Sequence, residues 1–312
     1  MIVVGGFNSA IDKFADTDRV ESGSVLRLRN LRAFPGGKGL HVALACATLG
    51  EETTLVGLID DGHRRLFETM LSNAGVVFEG VTIDESIRTC FALRDAEGRT
   101  TEMLEPGPTV SDGLAAGLMD GFIVRARSAD VAVLSGSLPS GLRVDSYAHL
   151  IQAAGSTPVL LDASGDALAV SLNAAPLLVK PNRDEAAQLV GFPIDTVEAA
   201  ARAAAVIGGR GPRTVVVSLG ADGAVMWTAG QTVHLRAPSL EVRNAVGAGD
   251  CLLGGFAVGL VRGWPLEECA RYGVACGSAK VRHPETGILR AGDVASLLPS
   301  ITSERITSEG AG

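Results

Sequence analysis

Four short runs rich in Val and Leu constrain this chain more than any other feature: Val131–Leu134, Val159–Asp162, Leu177–Lys180 and Val215–Ser218. A strand with one face in water alternates apolar and polar residues. None of these runs does, so each is predicted to be buried on both faces, as in a parallel sheet covered by helices. Helical patterns at 64–74, 112–127, 145–154, 184–190 and 196–208 fall between them. The last is Ala-rich, opens with Thr196 and Glu198 and stops at Gly208-Gly209, as helix start and stop signals require. This strand–helix rhythm predicts an α/β fold, a doubly wound and mostly parallel central sheet with helices on both faces. Aromatic residues make up only 4% of the 312 positions, while glycines number 39. That mix suits close helix-on-sheet packing better than an aromatic-rich sandwich.

Two stretches break the rhythm. Residues 10–34 and 84–105 carry more charge and show alternation, as in Val25-Leu26-Arg27-Leu28-Arg29. Half-buried antiparallel strands have that pattern, so a small β-sheet is expected to stand over the carboxyl ends of the parallel strands as a lid. Residues 1–300 then form one domain. The polar segment 301–312, which ends in glycine and repeats Ile-Thr-Ser-Glu, is expected to be a flexible tail.

The net charge of −8 argues against a general nucleic-acid surface, and any phosphate must be held locally against an unfavourable field. The longest clean apolar run, Cys251–Val261, is well short of the ~20 residues that a bilayer span needs, so no membrane partner is expected. Met1–Gly5 reads as a first strand and not as a signal peptide. The five cysteines contain no Cys-x-x-Cys, which favours a reducing, cytoplasmic location.

Several glycine-bearing segments sit where such a fold places ligands. Val246-Gly247-Ala248-Gly249-Asp250 precedes a helical run ending near Arg262. Small residues let a ligand approach the backbone, and the N–H groups and dipole of a helix start favour an anion. A carboxylate beside that anion hole makes sense if Asp250 takes a proton from a hydroxyl attacking a phosphate. A plain turn and helix cap would use the same letters. Pro35-Gly36-Gly37-Lys38-Gly39 also precedes a helix, but Gly39-Leu40 stands where a Walker loop needs Lys-Ser/Thr. In Lys180-Pro181-Asn182-Arg183-Asp184-Glu185, Asn182 and Glu185 could hold a hydrated Mg²⁺ or could simply cap a helix. Ser218–Gly223 could line a nucleotide pocket, with a hairpin turn as the default. Ser137, in the loop after a buried strand, has no His–acid pair placed to activate it. The five histidines form no His-x-x-x-His pair.

Taken together, these segments resemble the PfkB (ribokinase-like) family of carbohydrate kinases, from Met1 to about Leu298. Gly36–Gly39 resembles the first family signature and Asn244–Asp250 the second, in the right order and separation. Within the family the likeness is to the branch of 1-phosphofructokinases, tagatose-6-phosphate kinases and minor 6-phosphofructokinases. It rests on Asn8-Ser9-Ala10-Ile11-Asp12, Glu97–Glu102, Gly107-Pro108, Ser135–Pro139, Asp162–Gly165 and Val179–Asn182.

The resemblance implies an ATP-dependent kinase acting on a ketohexose phosphate, with fructose 1-phosphate the first expected substrate and tagatose 6-phosphate the second. A kinase for fructose 6-phosphate, or for an unphosphorylated sugar or nucleoside, is the more distant alternative. A non-catalytic nucleotide or sugar-phosphate sensor is the alternative from another class. By the resemblance, Asp12 and Gly36, Gly37, Lys38 and Gly39 hold the sugar, together with Ser137. Arg27 and Arg88 grip its phosphate. Lys180, Asn182, Ser218, Gly220 and Gly223 match nucleotide positions, with Gly247 and Gly249 beside them. Glu185 completes an Asn-x-x-Glu linked to Mg²⁺. Gly247, Ala248 and Gly249 form the anion hole, and Asp250 is the base. A homodimer through the lid is also implied.

The chain departs from the family pattern in places. His41 and Cys90 stand where this branch usually has Asn, Ala245 replaces a Thr, and Cys251 replaces a Ser or Thr. Val25 occupies a position where minor 6-phosphofructokinases carry Lys. His41 is expected on the sugar side, either pairing with a phosphate when protonated or capping the glycine-loop helix.

Overall fold

The protein is described by a computed structural model over residues 1–306. Its first third runs through β1 (Ile2–Gly6), β2 (Ala10–Asp16), β3 (Arg29–Gly36), α1 (Lys38–Thr48), β4 (Thr53–Asp60), α2 (Asp61–Asn73) and β5 (Val76–Ile83). Then come β6 (Arg88–Arg94), β7 (Thr100–Leu104), α3 (Asp112–Ala126), β8 (Val131–Ser135), α4 (Ser146–Ala153), β9 (Val159–Asp162) and α5 (Gly165–Ser171). The last part comprises β10 (Leu178–Val179), α6 (Arg183–Val190), α7 (Val197–Gly208), β11 (Thr214–Ser218), β12 (Ala224–Thr228) and β13 (Gln231–Arg236). It closes with α8 (Ala248–Val261), α9 (Leu266–Val281), α10 (Ala291–Leu297) and β14 (Thr302–Ile306).

Ten strands form the main sheet in the order β14-β13-β12-β11-β10-β9-β8-β1-β4-β5, parallel from β5 to β11 and antiparallel beyond. The unbroken apolar runs have the expected consequence: every residue of β1, β4, β8 and β9 is buried. The chain winds outward from β1 to β4 and β5, then returns past β1 to build β8, β9 and β10. The strand order therefore reverses at β1, and ligands of open α/β sheets lie at the carboxyl ends beside such a reversal.

Four strands ordered β3-β2-β6-β7 form a second sheet. Both of its hairpins leave the main sheet at carboxyl ends, one after β1 and the other after β5. It therefore stands over the reversal point. One of its two central strands, β2, pairs antiparallel with β3 and parallel with β6. The alternating segment at 25–29 is not a strand, since β3 begins only at Arg29. Val25 is 89% exposed, so no burial fixes a strand register there.

The tail expected over 301–312 is corrected in its first half. Thr302–Ile306 is the edge strand β14, antiparallel to β13 from Thr302↔Arg236 to Ile306↔Thr232. Pairing supplies backbone partners to a segment whose side chains stay largely in water, and such an edge strand leaves no apolar pattern to read. Residues 307–312 lie outside the described residues.

Candidate active site

The two glycine segments become two helix starts facing one cavity. At the head of α1, Gly37 takes φ +102°, in the region that favours glycine. A Cβ on Gly36 would lie 2.1 Å from the Asp12 carboxyl carbon, and one on Gly39 would lie 2.4 Å from the Gly6 Cα. Gly36 and Gly39 thus serve close approach, and α1 sits hard against the end of β1. At the head of α8, Gly247 takes φ +86°. The Ala248 N–H donates to Ala245 O at 3.1 Å, so Ala248 closes the turn. The N–H groups of Gly249 and Asp250 remain as first-turn donors for an anion.

Asp250 is 5% exposed and faces His41, whose Nδ1 lies 3.0 Å from its Oδ2. The other ring nitrogen of His41 lies 3.3 Å from Asp12 Oδ2. Burial alone would drive the imidazole towards neutrality. The hydrogen bonds and charges of Asp12 and Asp250 outweigh it and raise the pKa to about 9. His41 does not cap α1, whose start at Gly37 has no side-chain cap, but lies between the two carboxylates.

Across the cavity, Asp162 ends β9 at 1% exposure. Its Oδ2 lies 3.1 Å from Lys180 Nζ and its Oδ1 lies 3.5 Å from Lys38 Nζ. The two lysines hold this carboxyl below the ordinary range although burial opposes them. Asp162 in turn raises Lys38, against burial and with help from Asp250 and Glu185. The result is a site with two ammonium groups on one buried carboxylate. A Cβ on Gly249 would lie 3.2 Å from Lys180 Nζ, so the bare backbone of α8 admits that ammonium beside the anion hole.

Asn182 and Glu185 form a reciprocal helix cap on α6: Asn182 Oδ1 accepts from Glu185 N–H and Glu185 Oε2 accepts from Asn182 N–H, both at 2.9 Å. The cap leaves Glu185 Oε1 in the cavity, 3.8 Å from Lys38 Nζ. One free carboxylate oxygen suits Mg²⁺ held largely by water and substrate phosphates. A direct protein cage is a different arrangement, and among the described residues no group of three or more His, Cys, Asp or Glu is placed to form one.

The cavity, about 450 Å³, brings together Asp12, Gly37, Lys38, His41, Arg88, Ser137, Lys180, Asn182, Glu185, Ser218, Gly247, Gly249 and Asp250. Ser137 is fixed by Asn8, whose Nδ2 donates to its Oγ at 3.0 Å. Arg27, Gly220 and Gly223 are not in its lining. Arg27 is exposed on the irregular segment before β3. Gly220 and Gly223 make the β11–β12 hairpin turn, where a Cβ on Gly223 would strike Leu235 O at 2.0 Å.

Three cavity or loop residues escaped the sequence reading. Arg32 lines the cavity from β3, its guanidinium 5.3 Å from the Phe14 ring. It lies on the same strand face as Phe34 and Gly36, a spacing of two that could have revealed it. Asp162 had its own signal, a charged residue closing a buried strand. Lys280, 0% exposed on α9, donates to Asn244 O at 2.7 Å, and Asn244 Oδ1 accepts from Val246 N–H at 2.9 Å. A lysine buried in a helix thereby braces the loop into α8. Burial lowers its pKa to about 8 despite nearby Cys251, Asp250 and Glu285.

A family profile described as pfkB family carbohydrate kinase matches residues 1–290. The 1-phosphofructokinase of Xanthomonas campestris pv. campestris is 35% identical over 277 residues, which is 86% of this chain and 87% of that protein. A tagatose-6-phosphate kinase of Staphylococcus epidermidis is 30% identical over 293 residues, covering 92% and 94%. A crystal structure of phosphofructokinase-2 from Escherichia coli superposes with a TM-score of 0.88 at 27% identity, covering 96% of this chain and 98% of that one.

Proposed function

The chain belongs to the pfkB family of carbohydrate kinases, and from that premise we propose that it transfers the γ-phosphoryl group of ATP to a ketohexose phosphate, with fructose 1-phosphate as the first substrate. Relatives with that activity in their names support the substrate class. One structural observation carries it further. Arg32 and Arg88 both line the cavity, and neither pairs with a carboxylate among the described residues. Arg88 reaches only backbone oxygens, Asn8 O at 3.3 Å and Glu105 O at 3.4 Å. A neutral sugar has no use for two such guanidinium groups, whereas a phosphate matches their fork.

The sugar sits between the lid and α1, with hydroxyls on Asp12 and Ser137. Nucleotide phosphates lie towards Lys180, Asn182 and Ser218. Bound Mg²⁺, held through water at Asn182 and Glu185, would offset charge on the phosphate oxygens. Asp250 accepts the proton of the attacking hydroxyl as the new O–P bond forms. The old bond breaks and ADP leaves with its electron pair. Backbone N–H groups of Gly249 and Asp250 meet the charge that builds up on the transferred group. The lid keeps water away from it.

A panel of free sugars and sugar phosphates assayed with ATP and Mg²⁺ tests the reading. Turnover of fructose 1-phosphate above the others is expected. Preference for tagatose 6-phosphate would move the assignment within the branch, and turnover of free sugars alone would overturn it. The lid's outer residues also support a homodimer, since Leu31 is 57% and Met103 49% exposed. Light scattering should then find a dimer that Leu31→Glu disrupts. The five free cysteines favour the cytoplasm as its location.

A further inference from the structure

His41 bridges the proposed base and the lid. Asp12 stands on β2 of the small sheet and Asp250 on α8 of the main body, and their carboxylates approach the two ring nitrogens of one imidazole at 3.3 and 3.0 Å. The ring is 5% exposed and held flat from a third side, where a Cβ on Gly287 would come within 2.2 Å of it. A neutral imidazole has one N–H and one lone pair. With carboxylates on both sides, that lone pair would face an anion. Only the doubly protonated ring donates to both.

We propose that His41 is a positioning residue that joins Asp12 and Asp250 into one hydrogen-bonded unit, so that a sugar seated on the lid's carboxylate aligns the free oxygen of the base. The inference rests on the reading of Asp250 as base. The imidazolium occupies Oδ2 of Asp250 and leaves Oδ1 for the substrate hydroxyl. It also reduces the charge of the three groups from two negatives to one, which eases the approach of an anionic phosphate. Lid position and base orientation are thereby coupled.

Other charges reach this unit only through its carboxylates. Asp250 bears on Lys38, on the same helix as His41, on Lys280 of α9 and on Cys251. Asp12 bears on Glu102 of β7 and Cys90 of β6, and Glu285 bears on Lys280. With the ring's pKa raised to about 9, its proton is lost on the alkaline side, and one carboxylate is then released.

The test combines pH–rate profiles with a measurement that needs no turnover. Wild-type kcat/KM should fall above about pH 9. In His41→Asn, which has no proton to lose and reaches only one carboxylate, that alkaline limb should vanish. Its kcat/KM at neutral pH should drop roughly 10-fold, as misplacing a reacting group does. Nitrogen-15 NMR of the resting protein should place His41 protonated at neutral pH, with its pKa lower in both Asp12→Asn and Asp250→Asn. An unchanged alkaline limb in His41→Asn, or a His41 pKa indifferent to both carboxylates, overturns the proposal. If His41→Asn does not fold, the NMR titration of the aspartate variants decides alone. Full kcat in Asp250→Asn would instead remove the base reading, a result separable from the fate of His41.

Discussion

Lys38 and Lys180 converge on one carboxylate: their ammonium nitrogens lie 3.5 and 3.1 Å from the two oxygens of Asp162. Asp162 and Lys180 are 1% and 4% exposed, so their pair is desolvated, and Lys38 is the more exposed partner. Breaking a buried pair by removing one member costs about 3–5 kcal/mol, because the survivor is left charged without a counter-ion. Asp162→Asn should therefore lower the unfolding free energy by about 3 kcal/mol in denaturant titrations. Asp162→Asn/Lys180→Met should recover part of that loss. If the single variant is as stable as the wild type, the pair is not the structural anchor its burial indicates.

Asp250 faces a like charge problem with a chemical purpose. It stands in the first turn of α8, where an N–H anion site already favours negative charge. A group kept there merely to complement the helix dipole would be replaceable by Asn at a cost in stability and not in turnover. Asp250→Asn should keep nucleotide affinity in calorimetry and lose at least roughly 10²-fold in kcat, the usual effect of losing a general base. Near-normal turnover would leave Asp250 as a first-turn acid that serves only the helix dipole.

How much of this could be read from the sequence depends on how each feature is encoded. β8, β9 and β11 were legible because short unbroken apolar runs bounded by polar or glycine-bearing loops mark strands buried on both faces. Asp250 was legible from its place in an ordered set of glycine segments. The His41–Asp250 contact was not, because the two residues are 209 positions apart and only the packing of α1 against α8 brings them together. Arg27, assigned to the phosphate by resemblance, is not in the cavity lining of this chain. Its segment is exposed, so alternation there reflects no buried face, while Arg32 gained the cavity through the register of β3 against β2. β14 left no signal because its stability comes from backbone pairing with β13, to which side-chain polarity is indifferent.

His41 also links stability to pH, with a sign that follows from its raised pKa. The folded protein holds the proton to about 9, against an ordinary value of 6.5. The folded state then binds more protons than the unfolded state between those limits. Its extra stability is fully present below the unfolded pKa and is lost as pH rises through the folded one. It should amount to something on the order of 3 kcal/mol at pH 6. Unfolding titrations from pH 6 to 10 should show the gap between wild type and His41→Asn narrowing as pH rises. A gap that widens or stays flat contradicts a charged ring in the folded protein.

The two cavity arginines give the sharpest test of what the substrate carries. Arg88 comes from β6 and Arg32 from β3, on opposite sides of β2, so a phosphate between them would bridge two lid strands. Hydrogen bonds to charged groups contribute about 1.5–3 kcal/mol each, so Arg88→Gln should raise KM for the sugar phosphate by roughly 10- to 100-fold. The KM for ATP should move little, because Arg88 stands apart from Lys180, Asn182 and Ser218. Arg88→Lys should rescue only in part, since a single ammonium cannot reproduce the fork. Arg32→Gln should act in the same direction, and more weakly at high salt if screened charge is its main contribution. Equal effects of Arg88→Gln on a sugar phosphate and on its unphosphorylated parent would show that the guanidinium holds the lid and not the phosphate.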